Sequence, residues 1–156
     1  MNEEVQILLR QAAESLFQNQ PNIYDFTSES GNTEWNLAHH YANEVHKLLR
    51  DYDCDLEITK GSYHNKRPDI IFHERGSHER NFLVIEVKKD GGPQDIESDY
   101  QKIKYDWFRE PLQYQFGALV NLKSDKTSEV EVLENSNQPM SRPQSGTRRG
   151  RSYERR

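Results

Sequence analysis

The chain has 156 residues, of which 33% are hydrophobic and 30% charged, and its formal net charge is −5. This length predicts one domain with a core of moderate size, and no apolar run approaches the ~20 residues of a membrane-spanning helix. The single cysteine, Cys54, excludes an internal disulfide and a zinc site built from cysteines. The N-terminus lacks the cationic start of a secretory signal, and we expect a cytoplasmic protein.

The first third of the chain predicts two helices. Apolar side chains recur at helical spacing from residue 3 to residue 18, which indicates a helix with one buried stripe. A segment rich in turn-forming residues follows as far as residue 32. Thr33 is a suitable N-cap for a second helix, which we expect to end at Leu49.

The rest of the chain predicts strands around a third helix. We expect strands at residues 53–58, 114–122 and 129–133, the last of them at a sheet edge. Gly91, Gly92 and Pro93 end a further strand, and a helix begins at Asp95 and stops at Pro111. The order of elements predicts a single α/β domain over residues 1–134.

A β-hairpin between residues 67 and 89 forms the centre of the predicted sheet. Its two apolar runs flank a polar loop that contains a glycine, and they read Ile70-Ile71-Phe72 and Phe82-Leu83-Val84-Ile85. If Phe72 faces Leu83, then Asp69 faces Glu86 across the two strands. Like charges at such a position are destabilising, so a pair meant only for packing would avoid them. A site for a divalent cation would need them.

Pro68-Asp69, followed after a gap of 16 residues by Glu86-Val87-Lys88, resembles the motif of the PD-(D/E)xK nuclease superfamily, also called restriction-endonuclease-like. The resemblance covers about residues 33–123. It implies a restriction-endonuclease-like core, with a central mixed β-sheet flanked by helices in α-β-β-β-α-β order, to which this chain adds an N-terminal helix. It also implies hydrolysis of phosphodiester bonds in DNA, or alternatively RNA, with Mg²⁺ as cofactor or Mn²⁺ in its place.

The motif residues suit this chemistry. Mg²⁺ prefers oxygen ligands and retains several waters, so one or two carboxylates suffice, and Asp69 and Glu86 would supply them. The resemblance implies that the main-chain carbonyl of Val87 adds a third ligand. Lys88 shares a strand face with Glu86 and would position the attacking water or stabilise charge on the phosphate. The alternative is an ordinary surface pair of Glu86 and Lys88, which would contribute little to stability.

The resemblance also implies an acidic residue from the helix before the sheet. Glu34 is the expected catalytic residue of this kind, although an acid in the first turn of a helix also complements the helix dipole. Glu44 is a second candidate, on a less favourable face. Glu57 lies in the first strand, where we expect a solvated side chain.

Other polar side chains have structural explanations that we favour over functional ones. His64, Lys66 and Arg67 form a basic turn, and Gln101, Lys102 and Lys104 form a solvated helix face, although either group could contact nucleic acid. Trp107 is expected in the core. The histidines show no i, i+4 pair typical of a zinc site on a helix.

Residues 135–156 predict a disordered basic tail. The segment has six arginines, one acidic residue and almost no apolar side chains, so it cannot bury enough surface to become ordered. It could contact the phosphates of a nucleic-acid partner, DNA more than RNA. The alternative to an enzyme is a catalytically silent module of the same fold that binds nucleic acid or protein. A stand-alone nuclease, a homodimer and a subunit of a larger complex all remain open.

Overall fold

The computed structural model describes residues 1–27, 33–58 and 66–137. Its helices are α1 (Asn2–Asn19), α2 (Ile23–Thr27), α3 (Thr33–Leu48) and α4 (Pro93–Lys102), and a π-helical turn follows α4 at Ile103–Trp107. Its strands are β1 (Asp53–Leu56), β2 (Ile70–His73), β3 (Leu83–Lys89), β4 (Phe116–Leu122) and β5 (Ser128–Glu134). The predicted α/β class is confirmed, while α2 and the π turn were not predicted.

The five strands form one mixed sheet in the order β1-β2-β3-β4-β5. Strands β3 and β4 are parallel, and every other neighbouring pair is antiparallel. Strand β5 lies at the edge, as predicted. Phe72 pairs with Leu83 and Ile70 with Ile85, so the register expected for the hairpin is confirmed.

Helices cover both faces of the sheet. On one face, Phe72, Ile85 and Val87 pack in a core cluster with residues of α1 and α3. On the other face, Ile71 and Val84 pack in a second cluster with residues of the π turn. Side chains alternate along β3, so Glu86 and Lys88 follow Val84 onto the face that α4 and the π turn cover.

Gly117 of β4 lets the π turn approach the sheet closely. A Cβ atom at this position would lie 2.3 Å from Cγ2 of Ile103 and 3.2 Å from the ring of Phe108. The N–H of Phe108 donates to the carbonyl of Ile103 at 3.0 Å, five residues back, as in a π turn. The chain thus changes from an α-helix to a π turn where Ile103 and Phe108 pack against the backbone of Gly117.

The described chain continues past β5 into the first residues of the predicted tail. Asn135 is buried, and its Nδ2 donates to the carbonyls of Phe108 at 2.9 Å and Tyr114 at 3.0 Å. Asn135 therefore packs with the folded part of the chain, and the predicted tail lies outside the described residues from 138 onward. In the described part of the chain, none of the helices combines the length and apolar character needed to cross a membrane.

Candidate active site

Glu86 lies at the centre of the candidate site as a buried acid in the middle of the sheet. Glu86 is 1% exposed, and its neighbours Ile85 and Val87 are fully buried on the opposite face of the sheet. An ionised carboxylate is costly to bury unless it is paired and hydrogen-bonded. The position therefore excludes the ordinary surface pair with Lys88 that was the alternative expectation.

Asp69 lies against the main chain of β3, as the predicted register requires. Its Oδ2 accepts a hydrogen bond from the N–H of Val87 at 2.7 Å, which fixes the carboxylate between Glu86 and Lys88 along the strand. The main-chain carbonyl of Asp69 accepts the N–H of Glu57 at 3.1 Å and so continues the contact between β1 and β2. Burial raises the pKa of Asp69, although the Val87 hydrogen bond and nearby lysines oppose the shift.

Both carboxylate oxygens of Glu86 accept hydrogen bonds from the segment that follows β3. Lys102 Nζ donates to Oε2 at 3.0 Å, and the indole Nε1 of Trp107 donates to Oε1 at 2.7 Å. Burial raises the pKa of Glu86 well above its ordinary value, and the negative charge of Asp69 raises it further. The hydrogen bond from Val87 to Asp69 holds the second predicted metal ligand beside the strand segment that bears Glu86.

The π turn explains how two residues five apart reach the same carboxylate. In an α-helix, at about 100° per residue, Lys102 and Trp107 would point about 140° apart. In a π turn the hydrogen bonds run five residues back, so residues five apart lie nearly one above the other. The sequence predicted Trp107 as a core residue, which is confirmed, but its hydrogen bond to Glu86 depends on this turn.

Lys88 extends from β3 into a group of acids. Its Nζ lies 3.2 Å from Asp99 Oδ2 and 3.8 Å from Glu34 Oε1. Burial lowers the pKa of Lys88, but the charges of Asp99 and Glu34 outweigh burial and raise the pKa above its ordinary value. Lys88 is therefore held in its charged form beside the carboxylates.

Glu34 contacts the motif from the start of α3, as the resemblance implied. Besides its ion pair with Lys88, its Oε2 accepts the main-chain N–H of Lys89 at 3.3 Å. The contact is therefore with the lysine end of the motif. Glu44, the second candidate, is buried and pairs with Lys47 at 2.7 Å, while Glu57 contacts the site only through its main chain.

Asp99 of α4 is the site residue that the sequence analysis missed. It is 3% exposed, and it lies 3.2 Å from Lys88 and 3.3 Å from Lys102. An available signal was its position in the apolar stripe of the predicted helix, three residues after Ile96 and four before Ile103. An acid within a buried stripe requires a charged partner, and here it has two lysines.

The other polar candidates lie around the site or away from it. Lys102 reaches the site, whereas Gln101 bonds Glu97 and Lys104 lies over the ring of Tyr100. Lys66 pairs with Asp106 of the π turn at 2.6 Å. His64 lies outside the described residues.

Among the residues that the structure describes, no histidine or cysteine contributes to this site. His39 stacks on Trp35, His46 contacts the carbonyl of Tyr52, and His73 pairs with Asp55. Burial raises the pKa of the Cys54 thiol to about 11, which disfavours the thiolate. Over residues 1–27, 33–58 and 66–137, no group of three or more histidine, cysteine or acidic residues has an arrangement suited to a metal ion.

The acids outnumber the lysines in the candidate site. Asp69, Glu86 and Asp99 are held with Lys88 and Lys102, and Glu34 lies at the margin. Such a site favours a cation, and the two carboxylates that interact across the hairpin are the donors that could hold one. Comparison with protein-family models, with curated proteins and with solved structures found no match.

Proposed function

We propose that this protein is a Mg²⁺-dependent nuclease that hydrolyses phosphodiester bonds, with DNA preferred to RNA as substrate. The observation that carries the proposal is the hydrogen bond from the N–H of Val87 to Asp69 at 2.7 Å. It brings a second carboxylate to the strand segment that bears Glu86 and Lys88. Two acids and one lysine in one partly buried site are the residues that the resemblance implies for metal-assisted phosphodiester hydrolysis.

The arrangement of elements supports the same proposal. Helix α3, strands β1, β2 and β3, helix α4 and strand β4 follow each other along the chain. This is the α-β-β-β-α-β order implied by the resemblance to the restriction-endonuclease-like core. The two acids and the lysine lie where the hairpin strands face α4, so the proposed core and the proposed site agree.

The residues of the site fit a Mg²⁺ ion. Burial raises the pKa of both Asp69 and Glu86, and the charge of Asp69 raises that of Glu86 further, so a divalent cation would relieve an electrostatic cost of keeping these acids ionised. Asp69 and Glu86 would hold the ion, with the main-chain carbonyl of Val87 as a further oxygen donor. When bound, the ion would supply charge neutralisation at the phosphate and a water of lowered pKa.

Lys88 would provide the positive charge that the protein itself contributes. Asp99 and Glu34 hold its ammonium group on the α4 face, which limits the rotamers it can adopt. A lysine fixed in this way can orient the attacking water or stabilise negative charge on the phosphate oxygens. Glu34 then acts as a positioning residue through Lys88.

Paired cations and aromatic rings along α4 and the π turn support nucleic acid as the substrate. Lys104 Nζ lies 5.1 Å from the ring centroid of Tyr100, and the guanidinium of Arg109 lies 5.1 Å from that of Tyr105. Tyr105 is 51% exposed. Cations bind phosphates and aromatic faces stack on bases, so this surface suits a strand that approaches the site.

The alternative function is a catalytically silent module that binds nucleic acid or protein. One observation favours it, because both oxygens of Glu86 already accept hydrogen bonds, one of them from a lysine. A site whose buried acid already pairs with a lysine of the same protein has no requirement for a metal ion. Cleavage distinguishes the two functions.

A cleavage assay with a matched variant pair tests the proposal. Plasmid DNA, single-stranded DNA and RNA would be incubated with Mg²⁺ or Mn²⁺ and with wild-type protein, Lys88→Ala or Lys89→Ala. Lys89 is the matched control, because it follows Lys88 directly but its Nζ lies over the ring of Tyr24, 4.8 Å from the centroid. We expect cleavage of DNA by the wild type and Lys89→Ala and its loss in Lys88→Ala. Cleavage by Lys88→Ala at the wild-type rate would disprove the assignment.

A further inference from the structure

Lys102 pairs with Glu86, the buried acid that is proposed above as a metal ligand. Its Nζ donates to Glu86 Oε2 at 3.0 Å and lies 3.3 Å from Asp99 Oδ1. These are the two most deeply buried acids of the site, at 1% and 3% exposed. A single ammonium group thus pairs with two buried carboxylates.

The pairing with Lys102 opposes the entry of a second cation. A carboxylate oxygen that already accepts a hydrogen bond retains a lone pair for a metal ion, so the obstacle is charge rather than a lack of donors. Two cations a few ångströms apart in a partly buried site repel each other strongly. Lys102 must therefore move away from Glu86 when a divalent ion binds, or the ion binds weakly.

The structure also offers Lys102 a second position. Asp99 remains as a partner after the bond to Glu86 is broken, and the Lys102 side chain is one third exposed, so its ammonium group can move toward solvent. Trp107 continues to hold Glu86 through Oε1, so the carboxylate would keep its orientation. The geometry thus separates the residue that orients Glu86 from the residue that neutralises it.

We infer that Lys102 is a built-in counter-ion that holds Glu86 in the metal-free protein, competes with the divalent ion and sets its affinity. The inference rests on the proposed function, since it concerns the same carboxylates. It predicts that loss of the lysine charge tightens metal binding. If Lys102 only stabilised the fold, its removal would leave the metal affinity unchanged or lower it.

Titration calorimetry with MnCl₂ tests this inference without measuring cleavage. The proteins compared would be the wild type, Lys102→Met, Lys102→Arg and Lys104→Met. Methionine keeps the aliphatic length without the charge, arginine keeps the charge, and Lys104 is an exposed lysine two residues away that makes no ion pair with Glu86. We expect Mn²⁺ to bind Lys102→Met roughly tenfold more tightly than the wild type, as the removal of one nearby charge predicts. Lys102→Arg and Lys104→Met should remain close to the wild type.

The outcomes separate this inference from the proposed function. Equal or weaker binding by Lys102→Met overturns the counter-ion role, even if the wild type binds the ion and cleaves DNA. Tighter binding by Lys102→Met supports the role, even if no DNA is cleaved. A damaged fold would lower the affinity for Mn²⁺ and would not raise it. Thermal melting of each variant identifies any loss of affinity that results from a damaged fold.

Discussion

Trp107 donates its indole N–H to Glu86 at 2.7 Å, while Lys102, five residues earlier, binds the other oxygen of the same carboxylate. The two donors come from one short segment, and the π turn between them gives both access to Glu86. The candidate site and the irregular helix are therefore one structural unit. Substitutions in the π turn should therefore alter the position of the Glu86 carboxylate, and substitutions of Glu86 should alter the packing around Trp107.

Trp107→Phe tests the contribution of this hydrogen bond to stability. Phenylalanine keeps an aromatic ring in the core but removes the donor, which leaves a buried oxygen of Glu86 without its partner. We expect a loss of about 2 kcal/mol in the free energy of unfolding, measured by urea denaturation. Trp35→Phe is the control, since Trp35 is 50% exposed and should change stability by less than about 0.5 kcal/mol. Equal losses in the two variants would contradict the role given to the indole N–H.

The raised pKa of Glu86 predicts that stability falls as the pH rises. Burial, followed by the charge of Asp69, raises this pKa above the ordinary value of 4.5, so the folded protein binds a proton that the unfolded chain has released. The contribution to stability is complete below the ordinary value and is lost as the pH rises through the raised pKa. Each unit of the shift corresponds to about 1.4 kcal/mol.

Glu86→Gln removes this titration and is the reference for the measurement. Melting temperatures of wild type and variant would be recorded without metal from pH 5 to pH 8. We expect the wild type to lose stability relative to Glu86→Gln over this range. Parallel curves would show that Glu86 has the same pKa in the folded and unfolded states.

Much of the hairpin could be predicted from the sequence, because its information is local. Two apolar runs, a loop with a glycine and strict alternation along β3 determined both the register and the shared face of Glu86 and Lys88. Glu34 was also identified, but its contact with Lys88 depends on how α3 packs against the sheet, which the sequence does not encode locally. The sequence therefore supports two explanations for Glu34 equally, a charge that complements the helix dipole and a residue of the site. The packing of α3, which brings Glu34 to Lys88, favours the second.

The roles of Asp99 and Lys102 could not be predicted in the same way. A regular α-helix through residue 107 would turn Lys102 and Trp107 to different sides. The π turn lies against Gly117, a residue of another element with no side chain to keep Ile103 away. The hydrogen bonds of Lys102 and Trp107 to Glu86 thus occur together with a contact between Ile103 and a distant strand. Helical periodicity alone does not predict such a contact.

Gly117→Ala tests the dependence of the site on this close approach. The added Cβ would lie 2.3 Å from Cγ2 of Ile103, so the π turn must shift away from β4. We expect a loss of about 1–3 kcal/mol in the free energy of unfolding and a reduced metal affinity. Gly92→Ala is the control, because its Cβ would make only an ordinary contact, 3.7 Å from Asp95 Oδ2. If Gly117→Ala is as stable as the wild type, the turn does not depend on that contact.

Asp69→Asn tests the second carboxylate with a change that keeps its hydrogen bond. The asparagine carbonyl can still accept the N–H of Val87, whereas the charge that raises the pKa of Glu86 is removed. Because burial disfavours the charged form of Asp69, we expect the variant to melt at the same temperature as the wild type or higher without metal. With Mn²⁺ or Mg²⁺, the gain in melting temperature should be smaller than in the wild type, since one ligand has been lost.

The two halves of this result address different claims. A lower melting temperature without metal would mean that Asp69 stabilises the fold through its charge, against the cost of burial argued from its raised pKa. An unchanged metal-induced gain would remove Asp69 from the ligands. Asp53→Asn is a suitable control, because Asp53 is an acid on β1 that pairs with Arg75 at 3.6 Å, apart from the residues that contact Glu86. Its metal-induced gain should equal that of the wild type, so that a smaller gain in Asp69→Asn reflects the position of the lost charge rather than the net charge of the protein.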